Sequence, residues 1–210
     1  MIPLQFLRPG QNIPLADQWI VVTCAWQSGP GLDADLSALM LDGGRRVRGD
    51  SDFVFYNQPA SGDNSVSHAG KRLLGDRVQD RVDINMTQVA ADVRIVAVVV
   101  SVDGDPGVAV ASLPHLEVVL SSAGGQPIAA FAMPTLTTET AVVTVEVYRR
   151  GNEWKARAIG QGYHDGLAGL ARDFGVNVDD DPTAPRAEAE PIGAPVIDWT
   201  NPPVPAGYEL

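Results

Sequence analysis

Between residues 18 and about 160 the chain repeats one pattern: a short apolar run, rich in valine, isoleucine or aromatics, closed by glycine, proline, aspartate or serine. The runs are "QWIVVTCAW" (18–26), "FVFY" (53–56), "VRIVAVVVSV" (93–102), "LEVVLS" (116–121) and "TAVVTVEVYRR" (140–150). β-Branched runs of this length between turn residues read as strands. In "TAVVTVEVY", Val143, Val145 and Val147 share one face and Thr144, Glu146 and Tyr148 the other, the period of a half-buried strand. "RGN" at 150–152 reads as a hairpin turn into "EWKARAIG", where Trp154, Ala156 and Ala158 alternate with Lys155 and Arg157. "IVAVVVSV" does not alternate, which predicts burial on both faces. So many strands predict a mainly β fold, a two-sheet β-sandwich.

One helix interrupts the pattern. In "YHDGLAGLARDFGVNV", Leu167, Leu170, Ala171 and Phe174 fall on one helical face, with Asp165 as N-cap and Gly175 as stop. Trp154 and Phe174 are expected in the core. Past residue 178 the composition turns to proline, alanine and acids, which cannot bury much apolar surface. The expected division is a β domain over 1–178 and an acidic, Pro-rich tail over 179–210. Within that tail, 179–192 reads as a linker. The stretch 196–208, with Trp199 and Tyr208 among its residues, carries the chemistry of a docking segment.

"LDADLSALML" (32–41) places Asp33 and Asp35 at the mouth of a core strand. Unpaired carboxylates are costly to bury, so either they project into water or a cation sits between them. Other acids occur in similar short spacings: Asp50 and Asp52 in "RGDSDFVFYNQ", Asp63 in "ASGDNS", and Asp76, Asp80 and Asp83 in "GDRVQDRVD". Calcium sites use such clusters, because the ion takes six to eight oxygens from flexible loops. The alternative is that these acids only form turns at the surface.

A formal net charge of −11 argues against nucleic acid or an anionic membrane as the main partner. Cys24 is the only cysteine, so no internal disulfide forms. It sits in a strand run, where a lone thiol is usually inert. His68, His115 and His164 lie in separate segments without metal-ligand spacing. Neither a nucleophile elbow nor a phosphate loop is present; the members of a Ser-His-Asp triad need not be close in sequence, so an enzyme stays as a further reading while a non-enzyme is expected. The N-terminus lacks signal-peptide character, and the longest apolar run is too short to span a bilayer.

The order and spacing of "DADLSALML", "VRGDSDFVFYNQ", "SVSHAG", "YRRGNEWKARAIGQGY" and "GLARDFGVNV" resemble the tellurium-resistance (TerD-like) stress-protein family over residues 4 to 178. "GQNIPL" resembles that family's opening strand. The resemblance implies a β-sandwich with short helices and a cytoplasmic bacterial protein. It implies a role in tellurite and other stress resistance alongside other, membrane-bound, resistance proteins. It also implies calcium held by acidic loops, with no established enzymatic activity. On the matching positions, Asp33 and Asp35, then Asp50 and Asp52, would converge on one cation with Asn57. Asp76 and Asp80 belong to the acidic run that follows.

The chain departs from the family pattern after "SVSHAG". Lys71 and Arg72 stand where Asp-Asn is usual, and Arg77 and Arg81 interrupt the acidic run. A fixed cation at ~4 Å costs an incoming one on the order of 1 to 4 kcal/mol per unit charge, and a divalent ion about twice that. Two readings follow. One is a calcium-binding stress protein. The other is a divergent member in which Lys71 or Arg72 bridges the carboxylates and the domain binds or scaffolds without metal.

Overall fold

A computed structural model describes residues 4–102 and 108–176. The boundary at 178, the tail 179–210 and its segment 196–208 lie outside the described residues. The strands, in chain order, are β1 (Gln5–Leu7), β2 (Asn12–Leu15), β3 (Trp19–Gln27), β4 (Asp35–Leu41), β5 (Phe53–Val54), β6 (Val66–His68) and β7 (Arg72–Leu74). They continue with β8 (Arg77–Asn85), β9 (Ile95–Ser101), β10 (Glu117–Ser122), β11 (Pro127–Phe131), β12 (Ala141–Arg150) and β13 (Glu153–Tyr163), followed by α1 (Gly166–Phe174).

Two packed sheets account for these strands, as the sequence pattern requires. The first has the order β1-β11-β10-β3-β8-β6, with β7 also on the free side of β8. The second has the order β2-β13-β12-β9-β4-β5. Alternation fills the space between them. Ile20, Val22, Cys24 and Trp26 of β3 and Val82 and Ile84 of β8 meet Leu36, Ala38 and Met40 of β4 and Val96, Val98 and Val100 of β9. Removing so much aliphatic surface from water, at ~25 cal/mol per Å², is the main force holding the sheets together.

The second sheet is covered on its outer side as well. Leu170 and Phe174 of α1 pack on Leu39, Leu41, Ala97, Val99, Ala141 and Val143. That explains the unbroken apolar run of β9: one half of it faces the opposite sheet and the other half faces the helix. The helix starts after Asp165 and ends at Gly175, whose φ of 74° is the left-handed stop. Leu167, in its first turn, is 39% exposed.

Three expectations are corrected. Val143 does not share a face with Val145 and Val147, because the register shifts between Val143 and Val145. Thr144 is the extra residue of this bulge, and its hydroxyl donates to the Val98 carbonyl (3.0 Å). Val142, Val145 and Val147 therefore face the opposite sheet, while Ala141 and Val143 face α1. Second, "FVFY" is a strand only over Phe53–Val54, since Phe55 and Gln58 close a tight turn. Third, Trp154 lies at the margin of the core, partly buried, with the Arg149 guanidinium 4.3 Å from its ring centroid.

Candidate functional site

The start of β4 and the link from β6 to β7 meet at one corner of the sandwich. Asp35 is the first residue of β4, and Asp33 lies just before it. Lys71, the last residue before β7, reaches both carboxylates. Its Nζ is 2.8 Å from each oxygen of Asp33 and 2.8 Å from Asp35 Oδ1. Burial opposes the charge on Lys71, but hydrogen bonds to Asp33 and Asp35 outweigh it and raise its pKa above the ordinary lysine value. The two aspartates therefore have their cation, and the chain supplies it. An open cleft of about 750 Å³ adjoins this trio, lined also by Tyr56, Pro59, His68, Ala69 and Gly70.

Behind the trio sits Asp80, with no exposed surface. On β8 it occupies an inward position beside Cys24 of β3. Asp80 Oδ2 accepts the Leu36 amide of the opposite sheet (2.8 Å), and Oδ1 accepts the Arg81 amide (2.8 Å). His68 Nε2 lies 2.8 Å from Oδ1 but out of line for a hydrogen bond. Asp80 thus pins the beginning of β4 to the other sheet, which is what holds Asp33 and Asp35 in place. Burial, with the nearby Asp80 charge adding to it, pushes the Cys24 thiol pKa far up, so this thiol stays protonated.

The second acidic pair lies elsewhere. Asp50 and Asp52 begin and end a 3-10 turn leading into β5. Phe53 pairs with Leu39, four residues beyond Asp35, which is ~13 Å along β4. Asp52 is buried and held by a guanidinium fork: Arg48 Nε to Oδ2 and Nη2 to Oδ1, both 2.7 Å. Arg48 also reaches Asp92 (2.6 Å). Asp50 and Asn57 are exposed. Asp76, in the turn between β7 and β8, is exposed; its carboxylate accepts a long bond from Gln27 (3.3 Å) and its carbonyl accepts the Ser28 amide (2.8 Å). Asp83 pairs with Arg81 (2.7 Å).

The structure therefore brings Asp33 and Asp35 together around Lys71 but does not join Asp50, Asp52, Asn57, Asp76 and Asp80 to them as one ligand set. Among the described residues there is no group of three or more His, Cys, Asp or Glu placed to hold a metal ion. Calcium needs six to eight oxygens. This corner offers two carboxylates already shared by an ammonium, so the residues present do not fit it.

One ionic cluster escapes the sequence pattern. Glu146, placed by alternation on a polar face, is fully buried and is clamped by Arg45 (2.6 Å) and Arg157. Arg157 is its cross-strand neighbour on β13, which a hairpin register can supply. Arg45 comes from a distant turn, for which no local signal exists.

The TerD domain model matches residues 5–174. The chain is 33% identical to a tellurium resistance protein TerD of Serratia marcescens, with 81% of this chain and 97% of that protein covered. It is 30% identical to general stress protein 16U of Bacillus subtilis (strain 168), with 82% and 97% covered. Among solved structures, a homologue of the telluride resistance protein TerD from Streptomyces coelicolor A3(2) superposes with a TM-score of 0.60 at 15% identity, covering 74% of this chain and 96% of that one, which is a likeness of fold. With the domain matched over nearly all the described residues, the chain belongs to the TerD domain family of tellurium-resistance and stress proteins.

Proposed function

We propose that this chain is a cytoplasmic stress-response protein that works as a non-enzymatic binding module, with Lys71 in place of a bound metal ion. Its partners on this reading are other stress-resistance proteins, membrane-bound ones included. No described helix is long and apolar enough to cross a membrane. The stress role rests on the names of the relatives, and the metal-free mode rests on one observation, the Lys71 ammonium seated between Asp33 and Asp35. A calcium ion would have to expel that ammonium or sit against it. At ~4 Å the second option costs on the order of 2 to 8 kcal/mol for a divalent ion, depending on screening. The two carboxylates are already shared by that ammonium, which leaves them less to offer a second cation. What the trio supplies instead is a fixed corner beside the cleft, held without regard to cellular calcium.

The test is thermal unfolding of chelator-treated protein with and without added calcium. An ion that binds the folded state at a hundred times its Kd adds about 2.7 kcal/mol. For a domain of this size that is a rise of roughly 5 to 10 °C. The expected change is under about 1 °C by the same relation. A rise of several degrees that disappears in the Asp33→Asn/Asp35→Asn protein would overturn the reading.

A further inference from the structure

We propose that β7 is an interface between two copies of this chain, joined edge to edge by antiparallel β7–β7 pairing. The inference is independent of how the Asp33–Asp35 pair is neutralised. It starts from the edges of the two sheets, because an open strand edge is a template for pairing and folds usually block it. β2 carries Pro14 in its middle, and β1 is followed closely by Pro9. β5 has two residues and runs straight into a tight turn. β6 is covered by residues 59–61, through bonds from the Ser61 amide to Val66 and from the His68 amide to Pro59. β7 carries no proline and no covering segment. It pairs with β8 alone, and its two leucines are exposed on opposite faces, Leu73 by 65% and Leu74 by 54%.

The hairpin fixes how a second strand can add. A two-residue loop, Gly75–Asp76, joins β7 to β8, with Gly75 at a φ of 65°. In such a hairpin the residues flanking the loop, Leu74 and Arg77, form the hydrogen-bonded pair. The amide and carbonyl of Leu73 therefore point to the open edge. A two-fold axis through Leu73 lets the two copies exchange a pair of backbone bonds there. It sets Arg72 opposite the other copy's Leu74, with Asp76 of that copy on the same-side diagonal. Leucine then meets leucine, and arginine meets aspartate twice by symmetry. The hairpin itself carries Lys71, Arg72, Arg77 and Arg81 against Asp76 and Asp80, so it adds little to the repulsion between two chains of net charge −11.

Light scattering with sedimentation of the full chain decides it. The expected particle has twice the 22.2 kDa chain mass at high concentration and dissociates on dilution. Leu73→Pro removes the outward amide without touching the hairpin's own bonds, so it should give a monomer that melts at the temperature of the dilute, dissociated wild type. Arg72→Asp and Asp76→Arg should each weaken the dimer about tenfold or more, and the double exchange should restore it. A wild-type chain that stays monomeric throughout, or a dimer indifferent to Leu73→Pro and to the charge exchange, overturns the proposal.

Discussion

Asp80→Ala is expected to lower the unfolding free energy by about 3 to 5 kcal/mol, the range for breaking a buried charged hydrogen-bond cluster. The carboxylate is fully buried and accepts the Leu36 and Arg81 amides, with His68 at contact distance. Truncation leaves the Leu36 amide unpaired between the sheets, worth about 1 to 3 kcal/mol by itself. It also opens a cavity beside Cys24. Asp80→Asn keeps an acceptor for Leu36 and should cost less, about 1 to 2 kcal/mol. Urea unfolding of the three proteins measures this, provided the slope with denaturant is unchanged. A loss below about 1 kcal/mol for the alanine variant would mean that Asp80 does not tie the sheets. Asp80 would then be free to act as a ligand.

Phe174→Ala should be comparably severe, about 3 to 5 kcal/mol. Its ring is 4% exposed and lies in the cluster beneath α1. The Arg45 guanidinium stands 5.9 Å from the ring centroid, so the truncation also removes a support from the clamp on Glu146. Leu167→Ala, in the exposed first turn, should change stability by less than about 0.5 kcal/mol. The same unfolding experiment reads both. If the two losses were equal, the helix would bury a different face.

What the sequence made legible follows from which forces act locally. Strand runs with period two, the helix face from Leu170 to Phe174 and the glycine stop at 175 are all set within a few residues, and they appear as read. β8 was harder. "RVQDRVDI" alternates Val78, Val82 and Ile84 on one side, but Asp80 takes the fourth inward place, and an acid there reads as loop. Its partner is a backbone amide 44 residues away in the other sheet, which no periodicity displays. The bulge at Thr144 is hidden for the same reason, since it is defined against β9 and β13. Lys71 was legible only as a departure from the family pattern. The pattern named Lys71 and Arg72 together, and only the turn before β7 decides that Lys71 swings in to the carboxylates while Arg72 stays exposed on the edge.

The claim that Lys71 serves as the cation of this site is tested most directly by calcium calorimetry on the wild-type and Lys71→Met proteins. Methionine keeps the length of the side chain and removes its charge, leaving two facing carboxylates. The wild type should give no binding heat up to millimolar calcium. Lys71→Met should show weak binding, with a Kd of about 10⁻⁴ to 10⁻³ M, the range of sites with few charged ligands. Micromolar binding by the wild type, unchanged in Lys71→Met, would contradict the account.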